Sequence, residues 1–102
     1  LSHIKRVQVH GLDRIKAVWM NHAKLNPQRS QAVRLHSPDG LNWGYPGSGT
    51  AQLALALMLH AGVPEVVALD RYQAFKAAVL VPLAMDKDFD IEIVIRADGT
   101  WK

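Results

Sequence analysis

The chain contains no cysteine, which excludes a disulfide framework and any thiolate metal site and suits a reducing compartment. Long apolar stretches are missing too. The longest, Leu53–Leu59 and Ala77–Met85, fall far short of the roughly 20 residues that span a bilayer, so no membrane contact is expected. No signal peptide is visible, and the expected location is cytoplasmic. No two histidines have the H-x-x-x-H spacing of a helical metal site, and neither a metal nor a cofactor is expected. No repeat, low-complexity run or linker interrupts the 102 residues. That length suits one domain over residues 1–102, able to bury about 65% of its unfolded surface in a single modest core.

The composition is that of a globular protein, 49% hydrophobic and 21% charged. The net charge of +3 is unevenly spread. Up to Pro38 the chain has seven bases and one acid, and from Asp39 onward five bases and eight acids. Four of the five histidines, His3, His10, His22 and His36, fall in the basic part. Such asymmetry points to a nucleic-acid or acidic-protein partner, with Lys5, Arg6, Arg14, Lys16 and Arg34 as its contacts. A merely solvated strand face accounts for the same residues.

Periodicity predicts a small α+β domain, an antiparallel sheet of three to four strands packed on two antiparallel helices. Residues 4–9 and 14–20 are short, rich in β-branched side chains and separated by a turn at Gly11. In the second run, alternation places Ile15, Ala17 and Trp19 on one face. Asn21-His22 offers another turn, Leu25-Asn26-Pro27 breaks regularity, and Gln28-Arg29-Ser30 reads as a polar loop. Ala32–Leu35 is expected as a third strand, with Val33 and Leu35 inward and Arg34 outward.

A helix is expected to begin within a residue of Gly49, capped by Ser48 or Thr50. Between Ala51 and Ala61 only Gln52 and His60 are polar, so the helix is a buried one. Gly62 suits a left-handed C-cap and Pro64 starts a second helix. There Ala68, Tyr72, Phe75 and Val79 form one apolar stripe, and Pro82 ends or kinks it. Phe89, Ile91, Ile93 and Ile95 alternate with polar residues, which predicts a fourth strand at the sheet edge.

Between sheet and helix lies a turn-rich loop, His36 to Gly49. Gly44-Tyr45-Pro46-Gly47-Ser48-Gly49-Thr50 imitates a phosphate-binding loop, but the lysine is missing and no βαβ context surrounds it. Nucleotide hydrolysis is therefore not expected, although an incidental sulfate or phosphate could settle at the helix start. His36, Ser37 and Asp39 stand too close in sequence for a catalytic triad; Asp39 reads as a turn cap and His36 as a strand-end side chain. The alternation of Asp86, Asp88, Asp90 and Glu92 hints at a calcium loop, yet the glycine and glutamate that loop requires are absent. Trp43 reads either as a plug between sheet and helix or as a contact residue. Asn42 and Gln52 are expected to tie down loop carbonyls and N–H groups.

The run from Val33 to Leu59 and the stretch ALDRYQAFKAAVL resemble a small uncharacterised domain family of bacteria, archaea, phages and mobile elements, whose motif runs HSPDGF-x-WGYGGSGPAQLALALL. Matching positions are His36, Ser37, Pro38, Asp39, Gly40, Trp43, Gly44, Tyr45, Gly47, Ser48, Gly49, Ala51, Gln52 and Leu53, followed by Tyr72, Gln73, Phe75 and Lys76. Leu41, Pro46 and Thr50 depart from it. The resemblance implies a non-enzymatic protein-interaction module of a mobile element or phage, with inhibition of a host defence system as one use. Its partner would bind through Asp39, Asn42, Trp43 and Tyr45, or through the sheet face. The alternative is a nucleic-acid-binding accessory protein using the basic N-terminal sheet.

Overall fold

The computed structural model describes residues 4–102, with the side chains of Ile4 and Lys5 outside that description. Strand β1 (Ile4–Leu12) leads through a 3₁₀ turn (Asp13–Ile15) into β2 (Ala17–Met20) and β3 (Ala23–Lys24). Three helices follow: α1 (Pro27–Val33), α2 (Ser48–His60) and α3 (Glu65–Phe75), the last prolonged by a π turn (Lys76–Leu80). Strand β4 (Phe89–Arg96) closes the sheet, which is antiparallel throughout in the order β3-β2-β1-β4.

The α+β architecture and the fourth strand at a sheet edge agree with the sequence pattern. Helix α2 is the centre of the molecule, and every residue from Gly49 to Leu59 is buried. It ends where expected: Gly62 adopts φ +93°, and Val63 N–H donates to Met58 O at 3.0 Å, closing a left-handed C-cap. The Arg29 guanidinium supplies a further donor to Leu59 O at 3.2 Å, placing positive charge at the negative end of the helix. The α3 stripe is equally legible, with Ala68, Tyr72 and Phe75 buried. Val81 N–H then reaches Lys76 O, five residues back, before Pro82 stops the helix.

Several local expectations are corrected. Ala32–Leu35 is not a strand, because Pro27–Val33 is helical. Asn26 caps that helix by accepting from Gln28 N–H at 2.9 Å, and Pro27 occupies its first turn. Leu35 accordingly points to solvent, 61% exposed. The run 14–20 is a strand only from Ala17. Lys16 takes a left-handed conformation, φ +50°, which moves the alternation by one residue. Val18 and Met20 therefore face the core, whereas Ile15 is 59% exposed and Trp19 stacks on His10 on the open face of the sheet. Helix α2 is capped by Gly47 with no side-chain bond; neither Ser48 nor Thr50 serves, and the buried Thr50 hydroxyl has no partner among the described residues. No helix among the described residues is long and apolar enough to cross a membrane.

Candidate functional site

The loop from His36 to Gly47 is fastened to the core at three points. The first is Gln52, fully buried in the first turns of α2. Its Oε1 accepts from the backbone N–H groups of His36 (2.7 Å) and Ser37 (3.0 Å), while its Nε2 donates to Ser30 Oγ (2.9 Å) and Arg34 O (3.2 Å). One amide thus uses both lone pairs and both protons, pinning the loop entrance to α1 and α2 together. The second is Trp43, 0% exposed. Its indole N–H donates to Lys87 O at 2.8 Å, and its ring meets Phe89 edge-on at 4.8 Å. The third is Gly44, φ +83°, whose N–H donates to Leu80 O at 3.0 Å. A Cβ there would stand 2.6 Å from the Met85 backbone, so only glycine lets the two segments approach.

Above these anchors the loop shapes a groove of about 300 Å³ whose lining includes Lys16, Ser37, Asp39, Asn42, Tyr45 and Ser48. Asn42 Oδ1 accepts from Trp43 N–H at 2.9 Å, and Asn42 N–H donates to Gly49 O at 3.1 Å, so the residue is spent largely on the loop itself. The Tyr45 ring lies over Gly47, where an added Cβ would meet it at 2.0 Å. Asp39 is exposed at the rim. Lys16 closes the far side, with its ammonium 5.3 Å from the Trp43 ring centre and bonded to Asp13 and Asp86. The Asp13 bond, aided by Asp86, raises the Lys16 pKa above its ordinary value despite partial desolvation.

Beside the loop entrance, His36 Nε2 and the Tyr72 hydroxyl are 2.5 Å apart, and Gln73 Nε2 donates to the same hydroxyl at 3.2 Å. Burial, together with the nearby Arg34 and Lys76 charges, pushes the His36 pKa down. The ring packs against Tyr72 of α3 rather than ending a strand.

Of the expected partner contacts, the structure gathers Asp39, Asn42 and Tyr45 around one groove and sends Trp43 beneath it. With no exposed surface, Trp43 fills the space between sheet and helix. The basic set is scattered. Arg6 lies on the open sheet face 3.9 Å from Glu92; Arg14 is in the 3₁₀ turn, Lys16 is held by two aspartates, and Arg34 caps the C-terminus of α1. The Lys5 side chain lies outside the described residues. On the open face the register sets Gln8 against Glu92 and His10 against Asp90, so two acids of β4 share that face with Arg6. The anticipated basic sheet surface is instead mixed in sign.

The acidic run is likewise accounted for within the fold. Asp86 pairs with Lys16, Asp88 accepts from Asp13 N–H at 2.7 Å, Asp90 accepts from the Gln8 amide, and Glu92 faces Arg6. These bonds fasten the segment before β4 to the hairpin opposite, and among the described residues no cluster of His, Asp or Glu has the arrangement of a metal site. The part played by Lys16 in the groove was invisible in the sequence, because the lysine precedes the loop by twenty positions and arrives through the β1–β2 turn.

Comparison with known proteins adds one match. A model of a family of unknown function, DUF6166, covers residues 9–97, the span from the middle of β1 through β4. The chain belongs to that family. No curated protein and no solved structure matches it. The DUF6166 match takes in the hairpin as well as the loop and helices, so the groove and the sheet supporting Lys16 fall within one family unit.

Proposed function

We propose that the protein is a non-enzymatic interaction module that presents the Asp39–Gly49 loop to a protein partner. One observation carries this reading. The loop is held from below by a saturated amide, a buried indole and a glycine in close contact with Met85, while Asp39, Tyr45 and Ser48 remain at the groove they line. A surface ordered before binding loses little conformational entropy when a partner arrives. Tyr45 supplies an aromatic body with a polar tip, a residue type enriched where proteins meet. The resemblance to a family of phages and mobile elements supports a host protein as the partner, with a component of a defence system as the specific case, inside the cytoplasm. The mixed sign of the open sheet face favours protein over nucleic acid.

Photo-crosslinking in the native host tests the reading. A photoreactive residue is placed at Asp39 or Tyr45, and in controls at His22 in the β2–β3 turn or at Val66, which is 80% exposed on α3. An adduct of one defined mass from positions 39 and 45 alone supports the loop. Adducts from all four positions, or only from 22 and 66, refute it. Adducts that vanish with nuclease would move the assignment to nucleic acid.

A further inference from the structure

The strand registers place Lys24, Trp19, His10 and Asp90 in one row across β3, β2, β1 and β4. Directly opposite residues share a face. This row lies on the open one, since the neighbouring Val9, Val18 and Met20 are buried in the core. Two residues further along the same face, Leu12 stands opposite Ala17.

Both rows are lopsided. In the first, a cation stands at the β3 end and a carboxylate at the β4 end, both exposed. Between them lie the Trp19 and His10 rings, parallel and 5.0 Å apart. In the second, Leu12 is 39% exposed beside an alanine that is only 7% exposed. All six residues fall within the DUF6166 span.

Such a face specifies its own complement. The β3 end calls for an acid, the β4 end for a base, Leu12 for a small neighbour and Ala17 for a large one. A second copy of the face meets all four demands when the twofold axis runs parallel to the strands, between β1 and β2. That rotation carries β3 over β4 and β2 over β1, and leaves each row at its own level along the strands. Lys24 then stands over Asp90 of the second copy, Trp19 over its His10, and Leu12 over its Ala17. Each contact is made twice, because a twofold interface is self-complementary. A dyad at right angles to the strands would instead set acidic β4 over acidic β4, and like charges across an interface are disfavoured. Sheet twist turns packed partners by about 30°. The long Lys24 side chain can absorb that turn at the margin, and the central rings near the axis barely move.

We infer that two copies of this chain pack through their open sheet faces, in this orientation, as a face-to-face dimer. Four strands give a footprint only about 19 Å wide. The interface is therefore at the small end of specific contacts, with a Kd of about micromolar order. It takes no residue from the loop groove and does not rest on the loop's assignment.

Sedimentation equilibrium of the full 102-residue chain at rising concentration tests this. The mass should pass from 11.3 kDa to twice that value. Lys24→Asp and Asp90→Lys each bring like charges together twice and should raise Kd about tenfold. Combined in one chain they exchange the two signs, and dimerisation should return. Should Asp90→Lys fail to fold, single-cysteine variants give the orientation, because the native chain holds no cysteine. A bis-maleimide spanning the roughly 10 Å between packed sheets should join Lys24→Cys to Asp90→Cys when the two are mixed, and should join neither to itself. A protein that stays monomeric at millimolar concentration, a double variant no better than the singles, or crosslinks within either cysteine variant alone overturns the inference. So does a monomer that binds mixed-sequence single-stranded RNA and loses it in Trp19→Ala, which would give the face to nucleic acid.

Discussion

Replacing Gln52 by leucine should destabilise the protein far more than its position in an apolar helix implies. The substitution nearly conserves volume and adds apolar surface, so a purely hydrophobic account of α2 expects a neutral or favourable change. The structure expects the opposite. Four groups lose their partner: the N–H of His36, the N–H of Ser37, Ser30 Oγ and Arg34 O. Ser30 keeps its bond to Pro27 O at 2.8 Å, and Arg34 lies at an exposed helix end where water can reach its carbonyl. Their share is small. The two N–H groups are worse placed, Ser37 being buried, and each stranded donor costs about 1–3 kcal/mol. The sum is about 3–5 kcal/mol, a large fraction of the stability of a domain this size. Urea denaturation followed by tryptophan fluorescence measures it, with an unchanged m-value showing that the unfolding transition is otherwise the same. Thermal melting should fall by at least about 12 °C, taking about 4–8 °C per kcal/mol for a domain of about 100 residues. A loss below about 1 kcal/mol would refute the view that this amide locks the loop.

Further outcomes follow from other buried groups. Trp43→Ala should destabilise by about 3–5 kcal/mol, as emptying a buried aromatic site does; full stability combined with loss of a partner would mean that the indole is a contact after all. Thr50→Val replaces a buried, unpartnered hydroxyl by a methyl of similar shape and should stabilise by about 1 kcal/mol in the same urea assay. Gly44→Ala brings a Cβ within 2.6 Å of the Met85 backbone at φ +83° and should cost at least about 2 kcal/mol. His36 has a depressed pKa in the folded state, so the unfolded chain takes up its proton first. That part of the stability is complete above the ordinary histidine pKa and is lost as pH falls through the window down to the folded value. Chemical denaturation at pH 7.5 and 5.5 should show a larger loss for the native protein than for His36→Asn.

The parts of the fold that could be read in the sequence are those where one pattern dominates. Ala51–Ala61 is apolar on every side, and only a central helix can bury it. Ala68, Tyr72 and Phe75 mark a stripe that nothing else explains. Helix α1 was missed because its seven residues carry no stripe; the signal was there in Asn26 followed by Pro27, a cap and a first-turn proline, but it resembles a chain break equally well. The facing of β2 was misjudged because the left-handed Lys16 shifts the alternation, and lysine advertises no such conformation. In the candidate site, the glycines, Trp43 and Gln52 announced an ordered loop. Its neighbours Lys16, Leu80, Met85 and Lys87 come from distant segments, and their arrival is a property of the assembled sheet.

The pairing of Ile4 with Arg96 has a consequence for synthesis on the ribosome. β1 is translated before the other elements of the domain, but the strand that covers its flank follows only after the three helices. Until β4 is made, a row of odd-numbered main-chain groups from Lys5 to Val9 waits without its ladder, available to any other nascent chain. Premature termination before Phe89 would release a hairpin and helices with that flank bare, so truncated products of this gene should be the ones that aggregate or engage chaperones.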